Sequence, residues 1–168
     1  MNVARLVGTV GGVGLLRPGS GTWGSLAALP LAWALHVLGS WPLLSAAALL
    51  LIPLGTWAVG GMTADGATHD PSEAVIDEVA GQWIALVPVS AGAAFADVDV
   101  LALWPGWLAA FALFRLFDIW KPGPVGYFDR RATPLSVVLD DVAAGVMAAG
   151  GVVLLGVLYH AAIIGGAG

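Results

Sequence analysis

Long apolar segments separated by short polar ones dominate this chain. Five segments have the apolar character of a membrane-crossing helix, which needs about 20 residues: 22–39, 43–61, 79–95, 101–117 and 142–165. Segment 3–16 is too short and too rich in glycine to cross comfortably, so we expect a re-entrant or packed helix there. The pattern predicts a helical membrane protein with four or five spanning or half-spanning segments.

Composition supports a protein that lies in the bilayer. Of the 168 residues, 59% are hydrophobic and only 10% are charged, whereas a soluble domain usually carries about 25% charged residues. The length favours one domain over 1–168. The chain has no cysteine, which excludes disulfides, a thiolate nucleophile and thiolate metal sites.

The charges gather on one side of the predicted bundle. If all five segments cross, the connections alternate between sides, and every lysine and arginine falls on one side or at its border. These are Arg5, Arg17, Arg115, Lys121, Arg130 and Arg131. Excess positive charge marks the cytoplasmic side, so the N-terminus is expected inside and the C-terminus outside. Among the acids, only Asp97 and Asp99 fall on the other side.

Segment 65–81, DGATHDPSEAVIDEVAG, places acids directly before an apolar segment. Asp70 as N-cap, followed by Pro71 and Glu73, predicts a helix start. Asp77 and Glu78 would then lie two turns into the helix, where the dipole no longer favours acids. Acids at the edge of an apolar span are costly unless they are paired or bound to metal. We therefore expect metal-binding or catalytic carboxylates here, and a solvated helix end is the alternative.

Six charges fall within segment 114–131, FRLFDIWKPGPVGYFDRR. Arg115, Asp118 and Lys121 are spaced three residues apart, which predicts a ladder of ion pairs on one helix face. The alternative for Lys121 is that it anchors the helix at the lipid headgroups. That alternative does not explain Asp118.

Segment 139–145, LDDVAAG, resembles IDEVAG at 76–81, since two acids open an apolar helix in both. Close packing of two such helices through Gly81 and Gly145 would bring four carboxylates together. Oxygen ligands of this kind suit Mg²⁺, and nearby cations suit an anionic ligand such as phosphate.

Two helix starts complete the candidate site. The last helix begins either with Thr133 and Pro134 as its cap or with the acids of 139–145 as its cap. In segment 17–26, RPGSGTWGSL, Ser20 or Thr22 is expected to cap a helix whose free N–H groups form an anion cradle. An ordinary helix start without a ligand is the alternative. The predicted phosphate-binding residues there are Thr22, Gly24 and Ser25.

Three motifs together resemble the bacterial phosphatidylglycerophosphatase A family. FRLFDIWKPGP, followed by an Asp and by DDVAAG, matches the family pattern F-R-x-x-D-x-x-K-P-x-P with its later D-D-x-x-A-G. AVIDEVAGQWIAL and GSGTWGSLAALP match two further motifs, and the resemblance covers most of the chain. Two departures are ATPLSVV at 132–138, where the family usually has glycines, and Ser20, where proline is common.

The resemblance implies an all-α membrane bundle of about six helices and a Mg²⁺-dependent lipid phosphatase. It would hydrolyse phosphatidylglycerophosphate to phosphatidylglycerol and phosphate in a bacterial inner membrane, with its site facing the cytoplasm. No nucleic acid and no obligate protein partner is expected. The implied catalytic residues are Arg115, Asp118, Lys121 and Asp129, and the implied Mg²⁺ ligands are Glu73, Asp77, Glu78, Asp140 and Asp141.

Other classes of membrane protein remain as alternatives to the phosphatase. A small transporter or channel would use carboxylates to couple protons or cations. Against it, the acids lie at helix ends on one face rather than at mid-depth. A structural membrane subunit would not need so charged a cluster.

Overall fold

The computed structural model describes residues 2–64 and 71–166, with side chains to 162. The described residues form α-helices and two short 3₁₀ turns without strands, which confirms the predicted all-α fold. The helices are α1 (Val3–Gly8), α2 (Ser20–Met62), α3 (Ile76–Ala96), α4 (Trp104–Trp120), α5 (Pro124–Asp129) and α6 (Pro134–Gly166).

Helix α2 is two helices joined at a sharp break. Gly39 and Ser40 have non-helical backbone angles. A Cβ added at Gly24 would lie 2.7 Å from the Cβ of Val75, and one added at Gly55 would lie 3.4 Å from Cγ2 of the next residue, Ile76. In a straight helix Gly24 and Gly55 would be about 46 Å apart, so the chain must fold back between them. The arms 20–38 and 41–62 match the first two predicted segments.

Four helices are long and apolar enough to cross a membrane by length and composition: Ser20–Met62, Ile76–Ala96, Val100–Trp120 and Pro134–Ala162. Because α2 is folded into two arms, these four helices contain five long apolar helical segments, which correspond to the five segments predicted from the sequence. Their lipid-facing surfaces carry many exposed leucine, valine and tryptophan side chains, as expected for surfaces that meet hydrocarbon rather than water.

Helix α3 is the centre of the bundle and packs against α2, α4 and α6. The indole N–H of Trp83 donates to the carbonyl of Ala28 at 3.0 Å, and His36 and Ser90 share a hydrogen bond of 2.7 Å. Both contacts tie α3 to the first arm of α2. Helix α1 does not cross; it packs against the end of the second arm, where a Cβ at Gly61 would meet Ala4.

One end of the bundle, which we call the charged end, is formed where α2 and α3 begin, where α4 stops, and where α5 and the start of α6 lie. Long-range contacts hold it together, such as Arg5 with Glu73 and Lys121 with Asp140. Asp97 and Asp99 lie beyond α3, at the opposite end.

The predicted start of α3 is wrong by one turn. Asp70 lies outside the described residues, but Pro71, Ser72 and Glu73 precede the helix, which begins at Ile76 without a side-chain cap. The N–H of Val75 instead donates to the carbonyl of Gly8 at 2.8 Å. The N-terminal segment therefore sets this boundary. Asp77 and Glu78 consequently lie in the first turn, where the helix dipole does favour acids.

The predicted contact of Gly81 with Gly145 is confirmed. A Cβ at Gly145 would lie 2.3 Å from the carbonyl oxygen of Gly81, and a Cβ at Gly81 would lie 2.5 Å from the backbone oxygen of Asp141. Small residues allow helix backbones to approach this closely. The contact lies one turn deeper than the acids of α3 and fixes their distance from α6.

The start of α6 follows the first of the two predicted alternatives. The hydroxyl of Thr133 accepts from the N–H of Ser136 at 3.1 Å, and Pro134 is the first helical residue. Asp140 and Asp141 therefore lie in the second turn of α6 rather than at its cap.

This packing predicts a different effect for two glycines on the same helix. Gly145→Ala forces the α3 and α6 backbones apart, and overpacking of this kind costs about 1–3 kcal/mol. Gly150→Ala meets nothing within 4 Å and is expected to leave stability unchanged or raise it by up to about 1 kcal/mol. Thermal unfolding in detergent compares the two variants, and equal stabilities would contradict the close contact.

Candidate functional site

A cavity of about 310 Å³ opens at the charged end, where α2, α3, α4 and α6 meet. The start of α2 contributes glycines and a serine, α3 and α6 contribute acids, and the end of α4 contributes both signs of charge. The lining residues are Gly19, Ser20, Gly21, Ser72, Ala74, Asp77, Glu78, Arg115, Asp118, Ile119, Lys121, Val137, Asp140 and Asp141.

The acidic cluster at the base of this cavity consists of Asp77, Glu78 and Asp141. One carboxylate oxygen from each lies within 4.8 Å of the other two. Asp77 and Asp141 are buried, with 6% and 4% of their surface exposed, and Glu78 is partly buried. Three of the five predicted metal ligands are therefore brought together, from the first turn of α3 and the second turn of α6.

Several polar atoms around the acidic cluster are buried without a hydrogen-bond partner among the described residues. They are Glu78 Oε2, Asp141 Oδ1, Arg115 Nε and both amide atoms of Gln82. Gln82 lies one turn below Glu78 on the same face of α3 and is fully buried. Native proteins rarely leave so many buried polar atoms unsatisfied.

The acidic cluster fits a hard divalent cation. Carboxylate oxygens are the ligands that Mg²⁺ prefers, and Glu78 and Asp141 make no ion pair with any described residue. Acids this close repel one another strongly unless positive charge compensates them. The unsatisfied oxygens of Glu78 and Asp141 are therefore available as cation ligands.

Arg115 and Asp118 form an ion pair on the wall of the cavity. Arg115 Nη1 lies 2.5 Å from Asp118 Oδ2, and both side chains are largely buried, at 16% and 14% exposed. The i,i+3 pair predicted from the sequence is present. It holds one cation and one carboxylate next to the acidic cluster.

Lys121 does not continue this ladder. Its ammonium lies 2.5 Å from Asp129 and 2.8 Å from Asp140. Lys121 ends α4 with a φ of 51°, a left-handed conformation that normally favours glycine. This backbone turn directs the side chain toward α5 and α6 instead of back along α4 to Asp118. Asp140 is consequently paired with Lys121 and stands apart from the acidic cluster.

The environment of Lys121 keeps its ammonium charged. Burial alone would lower the pKa of Lys121, but hydrogen bonds to Asp129 and Asp140 outweigh burial and raise the pKa above its usual value. A raised lysine pKa stabilises the fold at every pH below the unfolded value of about 10.4. That contribution is lost only as the pH rises through the folded-state pKa.

The start of α2 lines the cavity one turn earlier than predicted. Neither Ser20 nor Thr22 caps the helix; Gly19 does, with a φ of 72° and no side-chain hydrogen bond. A Cβ at Gly21 would lie 2.3 Å from Glu78 Oε1 and 3.1 Å from Arg115 Nη1. A side chain at position 21 would require the ends of Glu78 and Arg115 to shift, so glycine suits this close approach.

The predicted phosphate-binding residues Thr22, Gly24 and Ser25 are not among the residues that line the cavity. The hydroxyl of Ser25 is buried and donates to the carbonyl of Gly21 at 2.9 Å. Gly24 packs against Val75. These two residues fix the position of the first turn of α2, in which Gly19, Ser20 and Gly21 lie against the cavity.

Glu73 lies away from the acidic cluster, because it precedes α3 and pairs with Arg5 at 2.7 Å. Ser72 accepts a hydrogen bond from Arg17 at 3.1 Å and, through its carbonyl, one from Ser20. The N-terminal segment thus clamps the residues just before α3. Glu73 supports this clamp, and because it precedes α3 it does not share a helix face with Asp77.

Sequence reasoning missed several cavity residues. Ser72 falls in the predicted helix start of segment 65–81 and Gly21 in segment 17–26, but neither was predicted to bind a ligand. Gln82 does not line the cavity but is buried in α3, and its position four residues after Glu78 in an otherwise apolar segment indicated a polar helix face.

In comparisons of the sequence with known proteins, one family model and two relatives carry the same name. The family model described as phosphatidylglycerophosphatase A matches residues 6–156. A phosphatidylglycerophosphatase A of Escherichia coli (strain K12) is 35% identical over 140 residues, covering 83% of this chain and 75% of the relative. One of Haemophilus influenzae is 37% identical over 150 residues, covering 88% and 85%.

A third relative carries a different name. A Bacteroides thetaiotaomicron protein provisionally named as a phosphatidylinositol-3-phosphatase is 36% identical over 146 residues, covering 84% of this chain and 86% of its own length. No solved structure matches the chain.

The geometry of Lys121 predicts strong coupling to Asp140. In a double-mutant cycle with Lys121→Met and Asp140→Asn, we expect a coupling energy of about 1–3 kcal/mol, because both groups are partly buried. The control cycle, Arg5→Gln with Glu73→Gln, joins an arginine that is 49% exposed and is expected to give at most about 1 kcal/mol. Unfolding in detergent measures both cycles, and equal couplings would contradict this difference in burial.

Proposed function

Since the chain belongs to the phosphatidylglycerophosphatase A family of phosphoric monoester hydrolases, we propose that it removes the terminal phosphate of phosphatidylglycerophosphate. The products are phosphatidylglycerol and inorganic phosphate, and the reaction depends on Mg²⁺. The observation that carries this proposal is one cavity that joins an acidic, oxygen-lined base to Arg115 and Lys121.

The two cations provide the binding site for the phosphate. Arg115 and Lys121 line the same cavity, and each already holds a carboxylate through a short ion pair. A phosphomonoester carries the same kind of anionic oxygens and would share these donors. Positive groups held in place before the reaction also stabilise the charge that develops on the phosphoryl oxygens.

The acidic cluster would hold the metal. Asp77, Glu78 and Asp141 supply the carboxylate oxygens, and Mg²⁺ bound there would polarise the phosphoryl oxygens and lower the pKa of nearby water. Asp140 is engaged by Lys121 and Glu73 by Arg5, which leaves both outside this ligand set.

The attacking group is either water or a carboxylate, because the chain offers no thiol. Of the two aspartates predicted for this role, Asp118 lines the cavity, whereas Asp129 lies on α5 and is 41% exposed. We therefore assign the proton transfer to Asp118. Water attacks phosphorus with its proton passing to Asp118, the phosphorus–oxygen ester bond breaks, and the departing glycerol oxygen takes that proton back from Asp118.

The proposed location is a bacterial inner membrane with the charged end facing the cytoplasm. All six lysine and arginine residues lie in or beside α1, the start of α2, the end of α4 and α5, and excess positive charge is typical of the cytoplasmic side. The cavity would then lie at headgroup depth, where a lipid phosphate is found.

Phosphate release tests the proposed reaction. Purified wild-type protein in detergent is expected to release phosphate from phosphatidylglycerophosphate only with Mg²⁺. Asp118→Asn is expected to lower kcat by about 100-fold or more, because it removes the proton acceptor. Asp97→Asn, at the opposite end, is the matched control and is expected to retain full activity.

Two other outcomes of this assay would change the proposal. Release that survives Asp118→Asn but not Asp129→Asn would move the proton transfer to α5. If the folded wild type releases no phosphate with Mg²⁺ present, the phosphatase proposal fails.

The metal site has a readout that does not depend on activity. Saturating Mg²⁺ at 100 times its Kd is expected to stabilise the wild type by about 2.7 kcal/mol. Asp141→Asn removes one repelling charge, so it is expected to stabilise the metal-free protein and to lose most of the response to Mg²⁺. Thermal unfolding with EDTA or Mg²⁺ measures both effects, with Asp97→Asn as the control. An unchanged response in Asp141→Asn would place the metal elsewhere.

A further inference from the structure

One apolar residue of the cavity wall is more exposed than the others. Ile119 lines the cavity and is 70% exposed. The other two apolar lining residues with side chains, Ala74 and Val137, are buried or half-buried. At Ile119 the cavity wall is therefore also part of the outer surface of the bundle.

The surroundings of Ile119 are those of a bilayer interface. It lies in the last turn of α4, directly after Asp118, which faces the cavity, and before Trp120, which is 71% exposed. Exposed tryptophans mark the headgroup level of membrane proteins. The apolar helix α4 below this point is lipid-facing at Leu116 and Leu108, which are 52% and 60% exposed.

The part of the cavity wall that belongs to the start of α2 is built only of small groups. The start of α2 contributes Gly19, Ser20 and Gly21 to the lining, and a Cβ at Gly21 would lie 2.3 Å from Glu78 Oε1 and 3.1 Å from Arg115 Nη1. A large side chain therefore borders the cavity on the α4 side and small ones border it on the α2 side.

We propose that the lipid substrate enters the cavity sideways from the bilayer, between the start of α2 and the end of α4. Ile119 then contacts the glycerol backbone and the first carbons of the acyl chains. This inference rests on the proposed function and adds a residue that selects lipid phosphates over soluble ones.

The chemistry of the wall explains this selection. A soluble phosphate ester would gain binding energy only from the polar and charged groups, and an exposed isoleucine would add nothing to it. A phospholipid presents its phosphate and its apolar carbons a few ångströms apart. Asp118 and Ile119 are neighbours in the chain but point about 100° apart on the helix, so the polar and apolar parts meet suitable partners together.

Selective loss of lipid turnover tests this role. Ile119→Gln is expected to lower kcat/KM for dioleoyl phosphatidylglycerophosphate about tenfold, mainly through KM, since it removes apolar contact. For the deacylated, water-soluble headgroup the change is expected to stay within about twofold. Leu116→Gln, one turn away and outside the cavity lining, is the control and is expected to change neither value. Equal losses on both substrates, or no loss on the lipid, would overturn the inference.

A binding measurement gives an independent answer. Because the chain has no cysteine, Ile119→Cys and Leu116→Cys each accept a single bimane label. In phosphatidylcholine vesicles with Mg²⁺, a non-hydrolysable phosphonate analogue of the substrate with brominated chains is expected to quench the label at 119 several-fold more than brominated phosphatidylglycerol does. At 116 both lipids are expected to quench equally.

The two proposals fail in different ways. Equal quenching of the label at 119 by both brominated lipids would overturn sideways entry even if the wild type releases phosphate. Absence of phosphate release by the wild type would overturn the proposed reaction, and selective quenching at 119 would then identify a lipid-phosphate binding site without that reaction.

Discussion

The acidic cluster of Asp77, Glu78 and Asp141 is the constraint on which the charged end depends. Ionised carboxylates with oxygens within 4.8 Å repel by about 3 kcal/mol per pair at an effective dielectric constant near 20. Packing elsewhere has to hold them there. The close packing of Gly81 against Gly145 does so one turn deeper, because the two helix backbones are in direct contact there. The cavity, its cations and the clamp formed by the N-terminal segment are arranged around this forced proximity.

The positive charges of the charged end have separate roles that follow from backbone geometry. Arg115 reaches its partner within one helical turn, so α4 alone defines that pair. Lys121 stands where α4 ends in a left-handed conformation, and this turn allows one ammonium to join α5 and α6 through Asp129 and Asp140. Arg5 acts at a distance from the cavity and fixes the segment before α3. Arg115 therefore belongs to the cavity wall, Lys121 joins α5 and α6, and Arg5 fixes the segment before α3.

The features that depend on the spacing of nearby residues were predicted correctly from the sequence. The apolar segments, the break between the two arms of α2, the Arg115–Asp118 pair and the glycine contact all follow from spacing along the chain. The wrong predictions concern helix boundaries and side-chain partners that depend on contacts between distant segments. The start of α3 is set by a bond from Val75 to Gly8, and the partners of Lys121 and Glu73 lie on other elements. Nothing in the spacing of Thr22, Gly24 and Ser25 indicates that the cavity lies one turn earlier.

The order of the helices along the chain has a consequence for biosynthesis. Asp77 and Glu78 belong to α3, whereas Asp141 belongs to α6, which follows α3, α4 and α5 along the chain and is therefore synthesised after them. The two arms of α2 form a hairpin that can enter the bilayer as a unit, and α3 can follow while its two acids remain at the interface. The acidic cluster exists only after α6 has packed against α3 through Gly81 and Gly145. The two acids of α3 are therefore separated from Asp141 while α3, α4 and α5 are being made, and the three carboxylates meet only when α6 packs.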